Sequence, residues 1–227
     1  MAGNDVSVVL THGAWADGSS WSKVIGALQK KGVTAIAAPL PLTSLTDDVR
    51  ALDGASERVQ GKLVLVGHAY GGAVIGAMRN PRVKSLVYVA ALAPAQGETV
   101  ADVFNRAAPH PQAPKLAPDS HGLLWLPSDA FATAFAQDAS KDEQALLAAV
   151  QRPIAPACIT VPVERPLWEE RPSWFLIAEW DRMIARETQE FMAGRMKARV
   201  RSLAVDHAPL VSAPDAVVEL ILDAIEA

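Results

Sequence analysis

The chain contains few of the residues that would tie it to a disulfide framework, to nucleic acid or to a membrane. Cys158 is the single cysteine among 227 residues, so no disulfide can form within the chain and no pair of thiolates can bind zinc. Lysine and arginine total 21 against 25 aspartate and glutamate, a net charge of −4, and no basic run could neutralise a row of phosphates. No apolar stretch approaches the roughly 18 residues that a membrane span needs. We therefore expect neither a nucleic-acid partner nor a membrane partner.

The composition that is present is that of a globular protein. Hydrophobic residues make up 50% and charged residues 20%, and the length suits one domain with an insertion. No positively charged leader precedes the apolar run from Val6 to Leu10, which is unlike a secretory signal. Together with the single cysteine, this predicts a cytoplasmic protein. The sequence gives no indication of the oligomeric state.

Apolar, β-rich runs alternate with helical patterns through most of the chain. Because the first four runs are largely apolar, they are typical of buried strands in a mostly parallel sheet with helices on both faces, an α/β fold. The predicted strands are Val6–Thr11, Val33–Ala38, Leu63–Val66, Val83–Val89, Trp174–Ala178 and Val200–Leu203. The predicted helices that connect them are Ser22–Lys31, Leu45–Gln60, Gly71–Arg79, Arg186–Met196 and Asp215–Ile225.

The alternation stops between Pro94 and Pro172. Most of the 16 prolines lie in this stretch, and no buried strand can be drawn in it. One helical pattern covers Lys141–Val150 and a second covers Ser128–Gln137. The sequence therefore predicts a core of residues 1–93 and 173–227, with residues 94–172 as a helical insertion.

The strand Leu63–Val66 runs directly into a helix through Gly67-His68-Ala69-Tyr70-Gly71. This segment resembles the G-x-S-x-G nucleophile elbow of the α/β-hydrolase family, in which a sharp turn lifts a serine above the edge of the sheet. Here Ala69 occupies the central position, and its methyl group has no oxygen to attack a carbonyl.

An acid and a base follow later strands in the chain order that this family uses. Asp181 comes after the strand Trp174–Ala178, and His207 comes after the strand Val200–Leu203. Carboxyl ends of parallel strands are where sites form in such sheets. The resemblance implies that Asp181 orients His207 as a general base, although Glu179 competes for the role of acid.

The first strand ends in His12-Gly13-Ala14-Trp15, which is similar to the oxyanion loop of small α/β-hydrolases such as plant salicylate- and jasmonate-ester esterases and hydroxynitrile lyases. The resemblance implies an oxyanion hole formed by the N–H groups of Ala14 and Tyr70, a cap over residues 94–172, and no cofactor or metal. Hydroxynitrile lyases of this group typically carry Thr and Lys where this chain has Gly13 and Ala208, which favours the esterase branch. A small, apolar carboxylic ester or lactone is the expected substrate.

Several other tryptophan, histidine and serine residues are candidates for the site. We expect Trp15, Trp125 and Trp168 to contact substrate, and His12 and His68 to make structural hydrogen bonds. His110 and His121 lack acidic partners at metal-ligand spacing, so no metal site is predicted. Nothing in the sequence aligns the hydroxyls of Ser19 and Ser20 with His207, which disfavours them as nucleophiles.

The alanine at position 69 has two interpretations. A serine was substituted to give an inactive hydrolase, or the chain is a natural protein of this fold that never attacks covalently, either a ligand-binding pseudohydrolase or a cofactor-free oxygenase or lyase. A strained elbow costs about 1–3 kcal/mol and is useful only if its side chain acts on substrate. The sequence therefore favours the Ser-to-Ala interpretation.

Overall fold

The computed structural model of the chain describes residues 6–227 and contains six strands that form a single parallel sheet. The strands are β1 Val6–Thr11, β2 Thr34–Ala38, β3 Lys62–His68, β4 Val83–Val89, β5 Ser173–Ala178 and β6 Arg199–Leu203. Their order across the sheet is β2-β1-β3-β4-β5-β6. The predicted parallel α/β sheet is confirmed, and all six predicted strands are present to within two residues at each end.

The helices lie between the strands and after the last of them. They are α1 Ser22–Lys30, α2 Leu45–Ser56, α3 Gly71–Ala77, α4 Val100–Phe104, α5 Lys141–Val150, α6 Arg186–Arg195, α7 Pro209–Ser212 and α8 Pro214–Glu226. The crossovers from β1 to β2 and from β2 to β3 run in opposite directions along the sheet, so right-handed connections place α1 and α2 on opposite faces. Helix α8 packs against α1, and α3 packs against α2. None of these helices, within residues 6–227, is long and apolar enough to cross a membrane.

Capping fixes several helix ends where the sequence predicts them. Ser44 accepts a hydrogen bond from the N–H of Asp47 at the start of α2, and Ser140 forms a capping box with Glu143 at the start of α5. Two predicted helices are shorter than expected, since α2 ends at Ser56 and α3 ends at Ala77. The predicted helix Ser128–Gln137 is wrong: the segment forms one π-helical turn, Phe131–Phe135, packed into the core.

Residues 90–172 leave the sheet after β4 and return to it at β5. Besides α4, the π turn and α5, this segment contains short 3₁₀ turns at Pro156–Cys158 and Leu167–Glu169. Its strand pairing, within the described residues, is limited to isolated bridges that Leu124 makes with Pro118 and Ile154. Buried side chains of the segment belong to the same apolar cluster as the strands.

The strand order reverses between β1 and β3. These two strands are neighbours, paired from Val6 opposite Lys62 to Thr11 opposite Gly67, yet β2 follows β1 on the other side. The connections after β1 and β3 therefore lead to helices on opposite faces of the sheet, which opens a crevice at its carboxyl edge, where ligands bind in folds of this kind.

Candidate active site

The turn between β3 and α3 holds Ala69 in a strained conformation. Its φ of 48° lies in the left-handed region, which costs an alanine about 1–2 kcal/mol. Backbone hydrogen bonds impose this geometry: the N–H of Ala69 donates to Val89 O (3.3 Å), and its carbonyl accepts from the N–H of Leu92 (2.9 Å). The elbow is thus fixed to β4 and to the residues that follow β4.

The two glycines of the elbow are required by close backbone approach. A Cβ on Gly67 would lie 2.5 Å from the carbonyl oxygen of Gly71, and a Cβ on Gly71 would lie 2.7 Å from Thr11 O. Real Cβ atoms do not approach backbone oxygens this closely, so no larger residue fits without movement of the chain. The elbow predicted from the sequence is present in full, apart from the oxygen that position 69 lacks.

The structure brings His207 and Asp181 together in the interior. Nδ1 of His207 lies 2.8 Å from Oδ2 of Asp181, and their side chains are 3% and 0% exposed. A carboxylate accepts a hydrogen bond, so Nδ1 is the donor, and this tautomer leaves the lone pair of Nε2 available to accept a proton. His207 also lines a cavity that Ala69 borders. This is the tautomer that a general base facing a substrate needs.

Further donors hold the Asp181 carboxylate in place. Its Oδ1 accepts from the N–H groups of Met183 (2.7 Å) and Ile184 (2.9 Å), and its Oδ2 accepts from Nε2 of Gln189 (2.9 Å). Gln189 lies in α6 and is fully buried, and nothing in the sequence pattern distinguishes it from a surface glutamine. Sequence reasoning therefore missed it.

Glu179 occupies a different position. Its Oε1 accepts from the hydroxyl of Ser202 (2.6 Å), and its other oxygen lies 3.9 Å from Arg186. It makes no hydrogen bond to His207 within the described residues. The geometry thus places Asp181, and not Glu179, against the histidine.

Two further histidines lie beneath the elbow, both buried and neutral. Burial, and after it the nearby His207, lower the pKa of His68 well below its ordinary value. Nε2 of His68 donates to the carbonyl oxygen of His207 (2.7 Å), which fixes the loop that carries the base. Burial also lowers the pKa of His12 to about 4, and its Nδ1 donates to the carbonyl oxygen of Gly13 (2.9 Å). Their contacts are the structural hydrogen bonds that the sequence predicted.

The N–H groups of Ala14 and Tyr70 border the crevice. Neither is used by an intramolecular hydrogen bond among residues 6–227, although both residues are buried and line the same cavity as His207. Gly13 passes so close to the elbow that a Cβ on it would lie 2.8 Å from Cβ of Ala69. The loop after β1 and the elbow after β3 are thus in contact, and each carries one free N–H donor beside the cavity.

A cavity of about 220 Å³ opens in front of these groups. Its floor carries Ala69, His207 and the two free N–H groups. Its walls are almost entirely apolar and include Trp15, Leu92, Val100, Ala101, Phe104, Leu116, Leu124, Ile154, Ile159, Met183 and Ile184, with Asn105 as a polar residue. Most of these wall residues lie between Leu92 and Ile159, in the segment that joins β4 to β5.

Trp125 and Trp168, predicted as substrate contacts, do not line this cavity. The Trp125 ring is 44% exposed, and its Nε1 donates to Asp119 (2.9 Å) on the outside of the molecule. Trp168 lies behind α3, where its Nε1 donates to Pro94 O (3.3 Å). Of the three predicted tryptophans, the structure places Trp15 alone at the cavity.

The hydroxyls of the loop after β1 point elsewhere. Ser19 Oγ donates to Oδ1 of Asp17 (2.5 Å), and Ser20 Oγ donates to the carbonyl oxygen of Asp17 (2.7 Å). Neither serine lines the cavity. Within residues 6–227 no group of three or more His, Cys, Asp or Glu side chains has the arrangement of a metal site.

Both the sequence and the fold of this chain are similar to those of known proteins. The carbendazim hydrolyzing esterase of Nocardioides sp. (strain SG-4G) is 31% identical over 116 residues, covering 44% of this chain and 48% of that esterase. The match therefore spans about half the length of this curated relative. The crystal structure of polyneuridine aldehyde esterase superposes with a TM-score of 0.83 at 18% identity, covering 96% of this chain and 98% of that one. A mutant of tomato methylketone synthase I superposes with a TM-score of 0.82 at 18% identity, covering 96% of each chain. The profile of the alpha/beta hydrolase family matches residues 8–220, and the chain belongs to that family.

Proposed function

We propose that this chain has the binding site and proton-transfer groups of a serine-type carboxylic ester hydrolase in a form that lacks the nucleophile at position 69. The strained elbow carries this proposal. Ala69 is held at a φ of 48°, a conformation whose cost is justified when the side chain must reach a substrate. A methyl group does no chemistry there, whereas a serine would place its hydroxyl in the cavity that His207 lines.

In a form with serine at position 69, each group has a role. Nε2 of His207 takes the hydroxyl proton as the oxygen attacks the ester carbonyl, and Asp181 stabilises the imidazolium that forms. The N–H groups of Ala14 and Tyr70 donate to the oxyanion. The imidazolium then protonates the leaving alcohol, and His207 activates the water that releases the acid. These steps require no cofactor.

The substrate class follows from the cavity walls. Apolar side chains surround a volume of about 220 Å³, and within residues 6–227 no Asp, Glu, Lys or Arg side chain lines it. Away from the two N–H donors on the floor, a charged group of a substrate would lose its hydration against these walls without gaining a partner. We therefore propose a small, uncharged carboxylic ester or lactone, a choice that the esterase activity named for the curated relative also supports.

We also propose that residues 94–172 form the cap of this enzyme. Several wall residues of the cavity, from Val100 to Ile159, belong to this stretch, while Ala69, Asp181 and His207 lie outside it. A cap of this kind selects the substrate and excludes water without entering the proton relay. The single, buried Cys158 is compatible with a reducing compartment, and we propose the cytoplasm as the site of action.

The test is to replace Ala69 by serine and assay a panel of small esters and lactones. Loss of the nucleophile in a triad costs about 10⁶ in turnover, so Ala69→Ser should create hydrolysis that exceeds that of the present chain by several orders of magnitude. Adding Asp181→Asn should lower this activity by about 10⁴, while Glu179→Gln should leave it nearly unchanged. A serine form that hydrolyses nothing on the panel would refute the proposal.

A second candidate is a reaction that needs a base but no nucleophile. Position 69 has no oxygen, but the other groups of the site are present. They are the hydrogen-bonded pair of His207 and Asp181 and the free N–H groups of Ala14 and Tyr70. Such a site can remove a proton beside a carbonyl and stabilise the enolate, as a cofactor-free oxygenase or lyase does. Conversion of hydroxyquinolone-like acids by the present chain, abolished by His207→Ala, would favour this candidate. Binding without conversion in both forms would indicate a pseudohydrolase.

A further inference from the structure

A short piece of the segment between β4 and β5, Arg152–Cys158, contacts the loop after β1. The backbone N–H of Trp15 donates to Arg152 O (3.1 Å), and the indole Nε1 of Trp15 donates to Leu124 O (2.9 Å). Leu124 in turn exchanges two backbone hydrogen bonds with Ile154, of 3.0 and 3.1 Å. Trp15 is therefore held at two points by adjoining backbone, and Ala14, whose N–H is free, immediately precedes it.

The same piece of chain contacts the elbow through a buried carboxylate. Tyr70 donates its hydroxyl to Oδ2 of Asp48 (2.7 Å), and the Cys158 thiol lies 3.7 Å from the same oxygen. Oδ1 of Asp48 accepts from the N–H of Leu42 (2.7 Å), and the carbonyl oxygen of Leu42 accepts from Ala155 (3.0 Å). Asp48 thus connects residue 70 to Arg152–Cys158 by two routes.

Several residues that make these contacts have a strained backbone or a buried polar side chain. Both features lower the stability of the fold, which suggests that they serve a function. Trp15 has a φ of 57° and Leu42 a φ of 60°, both in the left-handed region. Asp48 is fully buried, and burial raises the pKa of its carboxyl despite the hydrogen bonds that it accepts. An apolar residue in place of Asp48 would leave the buried Tyr70 hydroxyl and Leu42 N–H without an acceptor, so the carboxylate is kept for these two hydrogen bonds.

We propose that Trp15 and Asp48 are positioning residues that set the N–H groups of Ala14 and Tyr70 by anchoring both to one segment, Arg152–Cys158. This inference rests on the proposed oxyanion hole and adds that the segment between β4 and β5 assembles it. The two donors come from loops after different strands, and a common support keeps their spacing constant. Leu124 and Ile154 also line the cavity, so a ligand that packs against this wall contacts the support itself.

The test uses the chain with Ala69 and measures binding, so it needs no turnover. The probes are 4-nitrophenolate, at a pH where it is ionised, and its neutral analogue 4-nitroanisole. Two N–H donors should favour the anionic oxygen and shift the absorption band of bound nitrophenolate. The ratio of the two dissociation constants reports the donors, whereas changes in the apolar wall affect both probes alike.

The variants are Trp15→Phe, which removes the indole donor, and Tyr70→Phe, which removes the hydroxyl that binds Asp48. Each has a matched control that deletes a buried polar atom without a hydrogen-bond partner among the described residues: Trp21→Phe and Tyr88→Phe. Circular dichroism confirms that each variant is folded. Trp15→Phe tests the position of the Ala14 N–H, and Tyr70→Phe tests the position of the Tyr70 N–H. Each variant therefore gives an independent test of the proposal.

We expect each test variant to reduce the preference for the anion about tenfold, with a loss of the absorption shift, and each control to change it less than twofold. An unchanged preference in folded Trp15→Phe and Tyr70→Phe would overturn the positioning role and leave the oxyanion hole intact. A chain with Ala69 that shows no preference for nitrophenolate would overturn the oxyanion hole and this inference with it, whatever the serine form hydrolyses.

Discussion

At the scale of single residues, His12 shows how burial sets a charge state near the site. It is 1% exposed, and burial lowers its pKa to about 4, so the folded protein keeps it neutral down to that pH. In the unfolded chain the same side chain has an ordinary pKa near 6.5. Between these two pH values His12 binds a proton in the unfolded state but not in the folded state. The free energy of unfolding therefore rises with pH over this range.

We therefore predict a loss of stability on acidification that depends on His12. Between pH 7.5 and pH 5, His12 alone should lower the free energy of unfolding by about 2 kcal/mol. The variant His12→Asn keeps a donor for Gly13 O and removes the titration, so its stability should fall less over this interval by that amount. Urea unfolding of both proteins at the two pH values measures the difference.

Two buried carboxyls act in the opposite direction, since burial raises the pKa of Asp48 and of Asp206. They favour the folded state as the pH falls. Because both carboxyls are also present in His12→Asn, their contribution cancels when the two proteins are compared. If the two proteins lose the same stability between pH 7.5 and pH 5, His12 is protonated in the folded state and the prediction fails.

The sequence could identify the residues whose roles belong to a local motif. Gly67, Ala69 and Gly71 follow a buried strand, and Asp181 and His207 follow later strands, so their positions come from the order of elements along the chain. The partners of Asp48 and Gln189 could not be found in this way. Asp48 meets Cys158, 110 residues away, and such contacts exist only once the segment between β4 and β5 has folded back.

At the scale of elements, the β3–α3 junction depends on glycine for a reason other than flexibility. We predict that Gly67→Ala destabilises the protein by about 3 kcal/mol or more, because its Cβ would lie 2.5 Å from the carbonyl oxygen of Gly71. Gly54 is the control: it lies in α2 with open space around it, and Gly54→Ala should stabilise the protein by about 0.5–1 kcal/mol. Urea denaturation gives both values, and equal effects at the two positions would refute the steric explanation.

The elements that the sequence predicted well are those with a strong periodic or capping signal. Five of the six strands are largely apolar, β6 being the exception, and Ser44 and Ser140 mark the starts of α2 and α5. The π turn Phe131–Phe135 was predicted as a longer helix because its sequence, rich in alanine and phenylalanine, has helical spacing. Its single turn is a result of packing: Phe135 stands edge-on to His68 and His207, with ring centres 6.1 and 5.1 Å away.

At the scale of the whole molecule, the cavity forms at the junction of two parts of the chain. The sheet provides the floor, and the segment between β4 and β5 provides most of the walls. No sequence pattern tells which side chains of a proline-rich segment face inward. The prediction for Trp125 and Trp168 failed for that reason, since both are anchored outside the cavity through their indole nitrogens.

We predict that Phe104, on α4 at the wall of the cavity, limits the size of the substrate. In the serine form, Phe104→Ala should raise kcat/KM for 4-nitrophenyl octanoate relative to 4-nitrophenyl acetate by about tenfold, because the cavity gains the volume of a ring. Trp125→Ala, at an exposed ring outside the cavity, should leave this ratio unchanged. A uniform loss on both esters in Phe104→Ala would mean that the ring supports the fold and does not select the substrate.

The pairing of Thr11 with Gly67 has a consequence for which insertions and deletions the protein tolerates. Ala14 follows Thr11 by three positions, and Tyr70 follows Gly67 by the same number, so both loops start level at the sheet edge and reach their free N–H groups after equal lengths of chain. A residue added to or removed from one loop would shift one N–H group relative to the other, even if every side chain were preserved. Length variation among relatives that keep the site should therefore fall in the long connection between β4 and β5 and be absent from these two short loops.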